Sequence, residues 1–273
     1  MKFKIAVVQF RIKLFSPETN LEKASKFTRK ATSLGCQVII FPEDFVTGPI
    51  GDKKEFVDFS GKYRKYFQAL TGKYKIDIIA GSIIKGEKTG WFNTAYYIDS
   101  SGKIKSRYRK INLWLTERKY LTPGNEISIF NTKYGKAGLV ICWDLASPEI
   151  VRAMIRKGVR IIYCPSFWMA SDTSIGREYN QYAEREFINS LAVSRAFENE
   201  VILVYCNAAG EYKVGDNTIT SVGQSQITAP FIGAIKRLNH NREEMFIQEI
   251  NLDILKDAER AYRIRNNLRS HSF

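Results

Sequence analysis

Short apolar runs alternate with amphipathic stretches from the first residues onward. Residues 4–10 form an apolar run suited to a β-strand. Ser16, Pro17 and Glu18 then supply an N-cap, a first helical position and an acidic first turn. Leu21, Ala24, Phe27, Ala31 and Leu34 recur near helical spacing, and Gly35 provides the stop. A second strand spans residues 38–41 and ends at Pro42. A strand–helix–strand unit of this kind predicts two parallel strands joined by a right-handed crossover.

The middle of the chain is richer in strands. Residues 77–84 and 92–98 flank Gly86-Glu87-Lys88-Thr89-Gly90 and read as a hairpin. Residues 104–112 alternate, and residues 137–142 form a nearly continuous apolar strand. Residues 147–156 read as a helix opening with Ser-Pro-Glu, followed by a buried strand over 159–164. Residues 178–197 read as one long helix with Tyr179, Ala183, Phe187, Leu191 and Phe197 on one side. A strand over 201–206 follows, and residues 222–250 hold two or three more. No repeat, low-complexity tract or long linker divides these elements. The expectation is one α/β domain with helices covering a sheet or a pair of sheets.

Composition narrows the setting. The chain has 273 residues and a hydrophobic fraction of 44%, enough for a substantial core without disulfides or metals. The apolar run at the N-terminus is too short for a signal-peptide core, and nothing approaches a membrane span. Cys36, Cys142, Cys164 and Cys206 form no Cys-x-x-Cys pair, which argues against a disulfide framework or a zinc site. A reduced, cytoplasmic setting is expected. The net charge of +14 suits either a solvated lysine-rich surface or the steering of anions. Basic residues are spread along the chain, with a concentration at Arg260, Arg263, Arg265 and Arg269, and no nucleic-acid motif accompanies them.

Three residues stand out as chemistry. Cys142 ends an apolar strand and precedes a turn and a helix, which sets its side chain at a sheet rim where backbone N–H groups can face an oxyanion. Cys164 and Cys206 also end apolar strands, so position alone does not separate the three. A thiol needs a base or a cation to become a nucleophile at neutral pH. Only two histidines exist, His240 in an Asn-His-Asn turn and His271 near the C-terminus, so the base must be a carboxylate. Glu43 sits just past the second strand, bracketed by apolar residues, where partial burial would raise its pKa. Its neighbour Asp44 reads instead as an acidic turn residue paired with a surface lysine. Lys110 shares a strand face with Ile104, Ser106 and Tyr108, opposite the face of Lys103, Lys105, Arg107 and Arg109. An inward lysine requires partners, and a Glu–Lys–Cys cluster would supply them.

Taken in order, these segments resemble the carbon–nitrogen hydrolase, or nitrilase, superfamily. The matching blocks are FPED with Glu43, YRKINL with Lys110 and GLVICWDLASPE with Cys142. TERKYLTPG places Glu117 where the family has a second glutamate, and CPSFW, SRAFEN and GQSQITAP also match. The resemblance implies a four-layer αββα sandwich in a single domain over residues 1–273, the last roughly 15 forming a C-terminal extension. It implies Cys142 as nucleophile, Glu43 as general base and Lys110 with the Trp143 N–H at the oxyanion. Glu117 would position substrate or assist proton movement, with Trp143 and Trp168 lining the substrate site. No cofactor or metal is implied. Helices pairing subunits into a homodimer or larger assembly are expected, with Ile150, Met154 and Tyr182 at the contact.

Two departures bear on substrate. Cys142-Trp143-Asp144 resembles the amidase and carbamoylase branches, whereas true nitrilases carry glutamate at the third position. Ala146 stands where carboxylate-binding amidases often carry arginine. A small linear amide or N-carbamoyl substrate is therefore expected, with neither nucleic acid nor membrane as partner. The alternatives are a nitrile substrate or a non-catalytic scaffold of the same fold.

Overall fold

The computed structural model describes residues 1–172 and 175–270; His271 lies outside them. Strand β1 (Lys2–Gln9) leads through helix α1 (Pro17–Ser33) to β2 (Val38–Ile40), and α2 (Lys62–Tyr74) leads on to β3 (Asp77–Glu87), β4 (Gly90–Ile98) and β5 (Ile104–Arg109). The second half repeats this plan. After β6 (Phe130–Thr132), β7 (Gly135–Leu139) is followed by α3 (Pro148–Arg156) and β8 (Ile161–Ser166). Helices α4 (Gly176–Tyr179) and α5 (Ala183–Phe197) then precede β9 (Ile202–Asn207). A small hairpin of β10 (Glu211–Val214) and β11 (Asn217–Thr220), which the sequence pattern did not announce, comes before β12 (Gln226–Ala229), β13 (Gly233–Arg237) and β14 (Glu244–Asn251). Helices α6 (Ile254–Tyr262) and α7 (Ile264–Ser270) close the chain.

The long strands form two six-stranded sheets, ordered β14-β1-β2-β3-β4-β5 and β13-β12-β9-β8-β7-β6. As the strand–helix–strand pattern predicts, β1, β2 and β3 run parallel, and so do β7, β8 and β9. The sheets pack face to face. Phe3, Ile5, Val7, Val38, Ile40 and Tyr97 of the first meet Leu139, Tyr163, Val204 and Ile227 of the second in one core cluster. The alternate residues Ala6, Val8, Ile39, Ile78 and Ala80 face the opposite way and pack on Ala24 and Ala31 of α1 and on Phe67 and Leu70 of α2. Val151, Met154 and Ile155 of α3, with Ile188 and Ala192 of α5, cover the second sheet. The molecule is an αββα sandwich of mixed α/β class, as expected. Among the described residues no helix is long and apolar enough to cross a membrane.

Several local expectations change. Ser16 occupies the cap position, but its hydroxyl donates to Leu14 O at 3.3 Å instead of accepting from the helix. The apolar strand stops at Leu139, and Cys142 opens a 3₁₀ turn spanning Cys142–Ala146. The helix expected over 178–197 is broken, because Asn180 is extended and its side-chain oxygen accepts from Tyr182 N at 2.9 Å. Its buried stripe is Glu184, Ile188, Ala192, Arg195 and Ala196, leaving Tyr179 and Phe187 exposed. Two charged residues can line that stripe because each is paired. Trp168 Nε1 donates to Glu184, and Arg195 bonds Leu145 O and Glu198. Met154 is fully buried under Gly138 and Ile150 nearly so, which removes both from any subunit contact as surface anchors.

Candidate active site

The rims of both sheets converge on one cavity. Leaving β2, the chain turns sharply at Pro42-Glu43-Asp44, with Asp44 at φ 50°. The Glu43 N–H donates across the sandwich to Ser166 O at 3.3 Å, and the Phe167 N–H donates to Glu43 Oε2 at 2.9 Å. Glu43 is thus held at the end of β8 although it follows β2. Lys110 lies one residue beyond β5, where its own N–H continues the ladder to Asn93 O at 2.9 Å. That register turns its side chain inward, as the alternation predicts.

Lys110 Nζ donates to Glu43 Oε1 at 2.8 Å and to Glu117 Oε2 at 2.7 Å, all three side chains being buried. Asn93 Nδ2 bridges the two carboxylates, reaching Glu43 Oε1 at 2.8 Å and Glu117 Oε1 at 3.1 Å. The Trp114 N–H donates to Glu117 Oε2 at 2.7 Å. Burial alone would lower the Lys110 pKa, but Glu43 and Glu117 outweigh it and hold the ammonium charged. Burial raises Glu43, with Lys110 opposing. Burial also pushes the Cys142 thiol well above its usual range, Glu43 adding to the rise and Lys110 countering it. Cys142 therefore rests as a thiol beside a carboxylate of raised basicity.

Cys142 sits at φ 46°, a conformation costly to a residue with a Cβ, on a turn that aims its side chain at this cluster. Cys164 and Cys206 take other roles. Cys164 faces Ser166 at 3.5 Å, and Cys206 donates to Val8 O at 3.2 Å inside the sandwich. Neither lines the cavity, so geometry separates the three thiols that position along the chain left equivalent.

The cavity holds about 560 Å³, with Glu43, Lys110, Glu117 and Cys142 among its lining residues. Trp114, Trp143, Phe167, Trp168 and Met169 make it largely apolar, and Lys213 and Val214 at the tip of the β10–β11 hairpin reach its wall. Trp143 packs on Trp114 and Trp168 with ring centroids 4.5 and 5.4 Å apart. Glu43, Asp44 and Glu117 offer carboxylate oxygens within 4.8 Å of one another, as a metal site would. The Lys110 ammonium already sits on Glu43 and Glu117, so a cation there would have to displace it.

Four residues of the site escaped the sequence reading. Asn93 bridges the carboxylates, and its signal was a lone amide inside the apolar run of β4. Asp44 is buried, not a surface turn residue; Ser82 Oγ donates to it at 3.2 Å, and burial followed by Glu43 raises its pKa well above the usual range. Asp172 accepts from Met169 N at 2.9 Å at the cavity wall, where burial raises its pKa to about 7. Glu184 anchors Trp168 from below at 2.5 Å.

Comparison with known proteins agrees with this fold. The family model described as carbon-nitrogen hydrolase matches residues 4–260. The chain is 30% identical to a probable nitrilase of Schizosaccharomyces pombe, covering 96% of this chain and 93% of that protein. It is 29% identical to an N-carbamoylputrescine amidase of Oryza sativa, over 96% and 90% of the two. The crystal structure of a carbon-nitrogen hydrolase from Helicobacter pylori superposes with a TM-score of 0.87 at 21% identity, covering 98% and 95%. The chain belongs to the carbon–nitrogen hydrolase family, and its chemistry is that of a hydrolase.

Proposed function

We propose that this chain hydrolyses the C–N bond of a small linear amide or N-carbamoyl compound through a thioester on Cys142. The observation that carries this reading is the buried Glu43–Lys110–Glu117 cluster beside Cys142 at the wall of a 560 Å³ cavity. Glu43 takes the thiol proton as the sulfur attacks the carbonyl carbon, a transfer its raised basicity favours. The oxyanion that forms faces the Lys110 ammonium and the Trp143 N–H, which belongs to the first turn of a helical segment and so has no partner within it. Collapse of the adduct breaks the C–N bond, and the leaving nitrogen takes the proton from Glu43. Glu43 then draws a proton from water, whose oxygen attacks the thioester and frees the acid and the thiol. Glu117 and Asn93 hold Lys110 and Glu43 in place throughout.

Asp144 and the N-carbamoylputrescine amidase relative support an amide over a nitrile. The S. pombe relative, a probable nitrilase, keeps the nitrile as the competing reading. An ammonia-release screen on amide, N-carbamoyl and nitrile compounds with matched acyl groups tests it, using Cys142→Ala as control. The expected result is a larger kcat/KM for the amide or carbamoyl member; a larger value for the nitrile across several pairs would overturn it. We also propose a homodimer through the outer face of α5 and the residue that precedes it, where Phe187 and Tyr182 are exposed. A monomer mass in light scattering at micromolar concentration would remove that assembly.

A further inference from the structure

Asp144 follows Cys142 by two residues, is fully buried and lies outside the cavity lining. Its carboxylate nevertheless joins both halves of the site. Oδ2 accepts from Tyr108 Oη at 2.7 Å and from Ile141 N at 3.0 Å, and Oδ1 accepts from Asn112 N at 2.7 Å. Tyr108 and Asn112 stand two residues before and two after Lys110, while Ile141 immediately precedes Cys142. The carboxylate is therefore a clamp between the segment that carries the ammonium and the turn that carries the thiol.

Further ties hold the same turn. Asn112 Nδ2 donates to Ser147 Oγ at 2.9 Å, and Arg195 Nε donates to Leu145 O at 3.2 Å. These contacts matter because Cys142 is held at φ 46°, and a strained backbone persists only where its surroundings over-determine it. Burial raises Asp144 only to about 6, against the hydrogen bonds from Asn112, Ile141 and Tyr108, so the carboxylate is ionised at pH 7.5 and can accept from all three.

We propose that Asp144 is a positioning residue whose carboxylate sets the placement of Cys142 against Lys110 by fastening the nucleophile turn of one sheet to the strand end of the other. It touches no substrate and acts only through Cys142 and Lys110. The kinetic part of its test rests on the amide-hydrolase reading; the thiol-reactivity part does not.

Asp144→Asn keeps the volume but turns an amide NH₂ toward a donor that needs an acceptor. The expected result is a fall in kcat of about 100-fold, as a misplaced reacting atom produces, with KM little changed. The pH midpoint for alkylation of Cys142 by iodoacetamide, read by mass spectrometry, should move as well. A lower Tm with wild-type kcat and an unmoved alkylation midpoint would reduce Asp144 to a structural role and overturn the proposal. Should Asp144→Asn fail to fold, Tyr108→Phe removes one donor without a cavity. It should lower kcat by roughly tenfold and move the same midpoint; a wild-type profile in that variant overturns the proposal. If the wild-type protein turns over no amide, the amide reading fails, and the alkylation midpoint alone decides the role of Asp144.

Discussion

In the first sheet, starting from β14, the strand pairings run antiparallel, parallel, parallel, antiparallel, antiparallel, and the second sheet repeats that series starting from β6. Equivalent rim positions hold different chemistry. Past β2 stands Glu43, and past β8, its counterpart, stands Phe167, which contributes its N–H to Glu43 and an apolar ring to the cavity wall. Past β7 stands Cys142, and past β1 stands Phe10, buried among aromatic rings. Lys110 follows β5, whereas the residue after β13 is the buried Leu238. One half supplies the charges, the other the thiol and a backbone donor. Neither rim is a site alone, and the fold makes one by packing two similar sheets with unlike edges.

The sharpest break of this comparison is Cys142→Ala, expected to abolish turnover, while Cys164→Ala and Cys206→Ala retain measurable rates. Loss of activity in Cys164→Ala with Cys142→Ala still active would reverse the assignment. Next comes Lys110→Met, which leaves Glu43 and Glu117 buried without a cation. We expect kcat to fall by roughly 10²–10³ and stability to drop by about 3–5 kcal/mol in urea unfolding. Adding Glu43→Gln to Lys110→Met should restore part of the stability and none of the activity.

The charged rim also sets a pH dependence. In the proposed mechanism Glu43 must be ionised to accept the thiol proton, and burial raises its pKa. The rate should therefore rise with pH through a midpoint above the ordinary glutamate value of about 4.3. An acid limb at or below that value in kcat/KM would contradict the buried base. The smallest effect lies away from both rims, at Glu200, whose pKa burial and the neighbouring Glu259 raise to about 7. Its native form keeps a proton that the unfolded chain releases near pH 4, so this group costs stability as pH climbs from about 4 to about 7. Glu200→Gln has no such titration. Its Tm relative to wild type should rise between pH 5 and pH 8; a constant difference would refute the shift.

Periodicity alone made β1, α1 and β2 legible, because the strand is buried on both faces and Pro17 and Gly35 punctuate the helix. The order Glu43, Lys110, Cys142 was legible through the family resemblance, with Glu43 and Cys142 at the ends of apolar runs and Lys110 on the less charged face of an alternating strand. What was hidden depends on contacts remote in sequence. Glu43 meets Phe167 across 124 positions, and no local pattern announces that pairing. Asp44 read as an ordinary turn carboxylate and Asp144 as a mark of the amidase branch, and only the packed sheets reveal that each is buried. The error on α5 has the same origin. Glu184 and Arg195 look like solvent-facing residues until Trp168 and Leu145 O arrive as their partners.

In the proposed reaction Cys142, activated by the opposite sheet's carboxylate, carries the acyl group. Mass spectrometry of the protein quenched during turnover of a slow amide tests it most directly. A mass increase equal to the acyl group is expected on the peptide containing Cys142, absent in Cys142→Ala and appearing more slowly in Glu43→Gln. An acyl adduct on Cys164, or steady turnover with full label on no cysteine under conditions where deacylation limits the rate, would contradict it.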